Sequence, residues 1–423
     1  MKKFKLILFF VMSSCFSITA QLQDTGITGA NNWLGGWTSF KANKNDYNET
    51  TKILYGTIDS NFTLSGSETY LLQGNVYVTN NAVLTIEPGT IIRGDTDNNG
   101  VLIITKGAKI KAEGTANSPI VFTSNKDLRK PGDWGGIIII GEAPVNSFGG
   151  IANVNYEIDY QFRTYGGANA ESDAGSMKYV RIEFAGRSIV KGQKLSGLTL
   201  AGVGDKTKLS NIQVSHCEGN SITVLGGNVN ATNIISYKAK NNDLDFTQGT
   251  QSNFSNCLII KNAFASSNES RCITIASYEK KDNVDFNRKL TKLIVDNCTI
   301  VNETDGEAFA GGIIKEAIYI NNNTTFSLRN SIISGFESPI LFNSELQITD
   351  LNLKKINIQG VFFNNCKSNM QSELGGTADA DLEDYYSSPN LKNRYSKTPV
   401  IDLFIAPKSD KTPDYRIKID KIN

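Results

Sequence analysis

Residues 241–246, NNDLDF, set Asp243 and Asp245 two positions apart, with Leu244 and Phe246 interleaved. On a β-strand alternate side chains share a face, so both carboxylates point one way and both apolar side chains the other. Two carboxylates about 6.5–7 Å apart suit a shared cation or the two sides of a glycosidic bond. A second acidic stretch, GDTDNNG at 94–100, places Asp95, Asp97 and Asn99 before Gly100. Oxygen ligands at alternate positions followed by glycine form the start of a calcium loop. Lys106 stands where an EF-hand would place its closing Glu. The choice is therefore between a calcium-bound solenoid turn and an ordinary Asx-rich turn.

His216 is the single histidine in the chain, which excludes a multi-histidine metal site. Beside Glu218 in SHCEG, it reads as a structural or solvated turn residue. Cys217, Cys257, Cys272, Cys298 and Cys366 lie beyond residue 20, and no pair has the CxxC spacing of a zinc or redox site. They read as small buried thiols, with disulfides between adjacent turns allowed but not required.

Such groups need a scaffold, and the composition favours strands. Gly, Asn, Thr, Ile and Val are abundant, and 43 Lys+Arg against 42 Asp+Glu gives no charge drive toward nucleic acid or anionic membrane. Lys2, Lys3 and Lys5 precede an apolar run over 6–12 and a small-residue stretch ending in SITA, the pattern of a secretory signal peptide cleaved after Ala20. The alternative is a lipobox at Cys15, which would make a surface lipoprotein. No later apolar stretch approaches the roughly 18–20 residues of a spanning helix. The protein is thus expected to be exported, secreted or held at the outer-membrane surface.

Strand-like tetrads recur: VLTI at Val83, VLII at Val101, PIVF at Pro119 and IIII at Ile137, each starting 18 residues after the last. GLTL (197–200), SITV (221–224), DLDF (243–246) and CITI (272–275) continue at longer steps. A strand-only repeat near 20 residues, punctuated by turn residues, signifies a β-solenoid. A second series begins with asparagine, at Asn211, Asn233, Asn256, Asn297 and Asn330, and predicts a side-chain amide ladder. In this register Asp245 stacks beside Thr199, Thr223 and Thr274 on the outer face, and Asp243 lies beside Ser221 and near Arg271. The candidate ligand-binding set is Asp243, Asp245, Thr223 and Thr274. The candidate catalytic set is Asp243, Asp245 and Arg271, with Arg271 as a lyase base or a salt-bridge partner. The bland alternative is a solvated acidic spot on a Thr-rich surface. The long excursion at 146–176 is expected to collect on one face, where a binding groove would form.

LTIEPGTIIRG (84–94), PIVFTS (119–124), PGDWGGIIIIGEAP (131–144), MKYVRIEFAG (177–186) and LSGLTLAGVG (195–204) resemble exported right-handed parallel β-helix proteins, pectin-lyase-like in fold, of Bacteroidota-type bacteria. The resemblance implies an all-β solenoid at the cell surface and assigns no reaction. Similar glycosidases carry a DD pair, a Gly-His-Gly and an Arg-Ile-Lys. Here Gly-His-Gly is absent, and RIK at 416–418 falls in the irregular tail.

The expected organisation is a signal peptide over 1–20, an N-terminal cap over 21–73, a parallel β-helix over 74–366 and a C-terminal cap or tail over 367–423. The acidic-aromatic run at 379–386 reads as a solvated cap or a partner-binding strip. The expected function is non-enzymatic binding of a glycan or envelope protein. No cofactor is required, calcium is the one candidate ion, and no nucleic-acid partner is implied. The alternative is a polysaccharide lyase or glycoside hydrolase working in the lateral groove.

Overall fold

The structure, a computed structural model, describes residues 25–29, 32–189, 192–304, 314, 316–409 and 412–418. The expected signal peptide and Cys15 lie outside the described residues. The chain winds into a right-handed parallel β-helix. Sheet 1 stacks eleven described strands from Thr57–Ile58 to Gln371–Ser372. The other two faces form one sheet of nineteen described strands, because long strands run through both. Gly175–Glu183, Lys208–Ser215 and Asn230–Tyr237 bend at Tyr179, Asn211 and Asn233, where φ is 50°, 52° and 56°. Before that bend lies sheet 2, with Val83–Ile86 and Gln251–Ser255 among its strands. After it lies sheet 3, with Ile120–Ser124 and Leu258–Lys261.

The bend explains the asparagine series. Asn211, Asn233, Asn256, Asn297 and Asn330 all hold φ between 48° and 56°, a left-handed conformation that Asn tolerates better than most residues. The amides of three of them also link: Asn233 Nδ2 donates to Asn211 Oδ1 at 3.5 Å and Asn256 Nδ2 to Asn233 Oδ1 at 2.7 Å. The 18-residue step has a different meaning from the one expected. VLTI lies in sheet 2, VLII and IIII in sheet 1 and PIVF in sheet 3. Each turn carries three strands of similar length, so the distance between strands on different faces imitates a turn repeat. The later tetrads do stack in sheet 1, with Leu198, Ile222, Leu244 and Ile273 in one inward row.

Inward residues form one continuous core along the axis. Trp134 of PGDWGG is fully buried in it, stacked on Phe122 at 6.3 Å, and its indole N–H donates to Glu183 O at 2.7 Å. A Cβ on Gly94 would come within 2.4 Å of the Trp134 side chain, so that turn needs glycine.

The ends differ from expectation. Residues 25–29 and 32–47 do not cover the N-terminal end but run along the flank of sheet 3 as a strap, from late turns back to early ones. Gly26 N–H donates to Asn330 O at 2.7 Å, Thr28 N–H to Asn256 Oδ1 at 2.9 Å, Ser39 N–H to Gln213 Oε1 at 2.8 Å and Tyr47 O–H to Glu183 Oε2 at 3.0 Å. Leu34 and Trp37 bury against an outer row of sheet 3 that includes Ile235, Leu258 and Ile332. Parallel pairing begins at Lys52 and reaches Ser396, beyond both expected limits of 74 and 366. At the C-terminal end the acidic run forms helix Thr377–Tyr386, whose Leu382 and Tyr386 join the axial core. Val400, Leu403, Tyr415 and Ile417 then join the strap on sheet 3, so RIK lies on that flank, with Arg416 paired to Asp414 at 2.6 Å.

Candidate functional site

Sheet 1 has an unusual outer face. Val101, Ile103, Ile138 and Ile140 point outward and are buried, because Val145 and, from the excursion, Val154, Ile158 and Tyr165 fold back over them. A strand covered on both faces reads as a continuous apolar run, which accounts for IIII at 137–140. The excursion is pinned to a second loop, 276–291, where Asn146 Nδ2 donates to Ser277 O at 2.7 Å and Ser147 bridges Val284. Tyr165 O–H donates to Gln248 Oε1, tying it to the end of strand Leu244–Thr247.

Between these walls lie three cavities of about 400, 670 and 370 Å³. The first two share Tyr156, Glu157 and Ile189, and the last two share Asn153, Gln248 and Glu279, so they form one cleft. It follows the solenoid axis from Asn75 to Asn283. Amides, Tyr156, Tyr165 and Tyr278 line it, and exposed Phe148 stands at its lip. Arg163, Arg187 and Lys280 set positive charge against Glu157 and Glu279. Another cavity, about 560 Å³, lies at the seam where the strap and tail meet the last turns. It is lined by Thr25 and Ile417 of the added segments, by the corners at 329–330 and 359–362 and by the turn at 389–394, and by none of Asp95, Asp97, Asp243 and Asp245.

Thr199, Thr223, Asp245 and Thr274 form one outward row of sheet 1. Asp245 is half-buried and accepts from Asn220 Nδ2 at 3.3 Å. Thr223 bonds Ser196 Oγ at 2.7 Å and accepts from Asn220 Nδ2 at 3.0 Å. Burial first, and the charge of Glu279 second, push the Asp245 carboxyl up to about 7. Along its strand, Asp245 lies two residues before Thr247, which pairs with Leu225, and three before Gln248; Leu225 and Gln248 both line the cleft.

Asp243 does not share that face. It occupies the corner before strand Leu244–Thr247, where alternation is not yet imposed, and its side chain enters the core with 0% exposure. There it meets Lys261 Nζ at 3.2 Å and accepts from Ser236 Oγ. Arg271 is also separated from the pair. Its guanidinium meets Glu316 at 3.3 Å and lies 4.6 Å over the Tyr319 ring, one turn further on. The expected acid pair with its basic partner is therefore three separate environments. The expected backbone register holds, since Asp243 N–H donates to Arg271 O at 3.0 Å, but side-chain direction at a corner does not follow from strand alternation.

In the turn at 94–100 the carboxylate oxygens face N–H donors and a lysine. Asp95 is buried and accepts from Asn98 Nδ2 at 2.7 Å, Asp97 N–H at 3.0 Å, Gln73 Nε2 at 3.3 Å and Asn125 Nδ2 at 3.4 Å. Burial alone would raise its carboxyl, yet the hydrogen bonds outweigh this and hold it below the ordinary value. Asp97 turns to Lys126 at 3.0 Å, and Asn99 takes the left-handed φ of 55°. Among the described residues no three His, Cys, Asp or Glu side chains are placed to share a metal ion. His216 is packed between Phe184 and Tyr237, and burial with the nearby Lys238 charge brings its imidazole down to about 4. All five cysteines beyond residue 20 are buried free thiols.

The residues that sequence reasoning missed are those of the cleft: Tyr156, Gln248, Tyr278 and Glu279. Only the excursion as a whole was legible, from its break in the repeat.

The described residues include no helix long and apolar enough to cross a membrane. No curated protein and no solved structure matches the chain. Residues 56–398, most of the chain and nearly all of the parallel stack, match the family model of the pectate-lyase-like β-helix domain. The protein belongs to the pectate-lyase-like β-helix domain family.

Proposed function

We propose that the protein is an exported surface module that holds an extended glycan in the cleft beside sheet 1 without processing it. The observation that carries this reading is the cleft itself, three confluent cavities lined by amides and aromatic rings. Sugar rings present apolar faces that stack on aromatics and hydroxyls that pair with amides, and this lining offers both. The rows from Asn75 to Tyr278 span about 25–30 Å at ~4.8 Å per turn, room for several sugar units. Export is supported by the basic and then apolar start of the sequence.

A glycan array followed by calorimetric titration of the captured glycan tests the reading. Tyr278→Ala and Gln248→Ala are expected to weaken binding about tenfold, the loss of roughly one good contact. Absence of binding across neutral and acidic glycans, or affinity untouched by both variants, would refute it.

A second reading, a polysaccharide lyase or glycoside hydrolase, is favoured by Asp245 with its carboxyl near 7 and Glu279 close by. Under that reading wild type releases reducing or unsaturated ends from the bound glycan and Asp245→Asn does not. Binding without release by either protein leaves the first reading in place.

A further inference from the structure

The Asp243–Lys261 pair stands apart from the other ion pairs described, because both of its side chains are 0% exposed. Lys261 ends strand Leu258–Lys261 and points into the solenoid, in register with Asn302 of the next turn. Its Nζ donates to Ala239 O at 3.1 Å and to Asn241 O, and it approaches Asp243 Oδ2 at 3.2 Å. Asp243 Oδ1 accepts from Ser236 Oγ, which bonds Ser221 Oγ at 2.6 Å, and the Cys272 thiol lies against the same carboxyl. Beyond these groups the surroundings are the axial core, including Ile259, Ile300 and three further buried thiols, Cys217, Cys257 and Cys298.

Keeping two full charges in such a place costs several kcal/mol of desolvation per ion. Passing the proton from ammonium to carboxylate removes both charges at once, and burial already favours the protonated form of Asp243. In the neutral amine the two N–H groups stay on the two backbone carbonyls, and the nitrogen lone pair faces the carboxyl group. A nucleophile and an electrophile fixed at contact distance in a dry site have an effective concentration far above any in solution.

We propose that Lys261 Nζ and Asp243 Cγ condense into an intramolecular isopeptide bond. The ammonium proton moves to the carboxylate, and the free amine adds to Cγ. The Cγ–OH bond then breaks, and the hydroxyl leaves as water with a second proton from the amine. Ammonium plus carboxylate becomes amide plus water, so no oxidant or outside reactant is required. The Ser236 hydroxyl supports charge on Oδ1 while Cγ is tetrahedral and remains the partner of the amide oxygen afterwards. The amide N–H keeps one of the two carbonyls, Ala239 O or Asn241 O. The product is a neutral covalent tie between the corner before a sheet 1 strand and the end of a sheet 3 strand, inside the stack.

Peptide mapping of the full mature protein, unfolded before digestion, tests this without any variant that could fail to fold. Trypsin cannot cut after an acylated lysine. Residues 241–271 are therefore expected as one peptide, lighter by one water (about 18 Da), with fragmentation placing the link between positions 243 and 261. In Lys261→Arg, digestion at 261 and full peptide mass are expected to return. Normal cleavage after Lys261 with a full-mass peptide 241–261 in the wild type would overturn the proposal. So would a water loss that leaves Lys261 cleavable, since that marks a succinimide at Asp243 instead.

Discussion

Two titrating side chains pull stability in opposite directions over one pH range. Asp245 binds its proton up to about 7 in the fold and only up to its ordinary value of 3.8 when the chain is unfolded. Between those values the folded state holds more protons, so this carboxyl stabilises at low pH and the benefit is lost as pH rises through 7. His216 does the reverse. Its folded value of about 4 lies below 6.5, so the unfolded state holds more protons between them and stability falls on acidification through that window. Each effect amounts to about 1–3 kcal/mol once partial access of water to Asp245 is allowed for. Wild type is expected to show a shallow Tm profile between pH 4 and 7. Asp245→Asn is expected to steepen the fall toward acid and to raise Tm near pH 8. An unchanged profile in thermal melts would contradict this account of Asp245. At the Asp95 turn, whose carboxylate oxygens are taken up by N–H donors, adding EDTA is expected to leave Tm unchanged. A drop of several degrees would instead support a calcium ion at this turn.

The corner asparagines combine two physical demands in one element. Asn256 carries φ 54°, donates to Asn233 and accepts from the strap at Thr28. Asn256→Ala is expected to cost about 2–3 kcal/mol, from left-handed strain and lost amide bonds together. Asn256→Gly relieves the strain and is expected to cost about 1 kcal/mol, so chemical denaturation of the two variants separates the causes. This ladder was legible because a corner that repeats every turn writes the same residue type every turn. The inward row Leu198, Ile222, Leu244 and Ile273 was legible for the same reason. Asp243 was not, because period-two alternation governs residues inside a strand and Asp243 precedes one. Nor was the partner of Asp243 legible, since Lys261 comes from sheet 3 and no local pattern marks an inward lysine. The cleft residues were hidden differently: Tyr156, Gln248 and Tyr278 come from non-repeating segments that only folding brings together.

At the scale of the whole molecule, both flanks of the solenoid that carry added segments have their own small core. The strap and tail close sheet 3, and the excursion partly closes sheet 1, leaving the cleft. Trp37→Ala removes the largest buried side chain of the strap and is expected to cost about 3–5 kcal/mol locally. Limited proteolysis should then cut within residues 32–47 first, while the β-sheet circular dichroism persists. Loss of the sheet signal together with the strap would mean that the strap is integral to the stack. Sheet 3 is covered by the strap and tail apart from the cavity at their seam, whereas sheet 1 keeps the long cleft in which the proposed ligand would lie. Hydrogen exchange of the protein with and without a glycan captured from the array tests this placement of the ligand most directly. Slowed exchange is expected in residues 153–165 and 276–283, which wall the cleft, with residues 32–47 unchanged. Protection confined to the strap and the sheet 3 flank would contradict it.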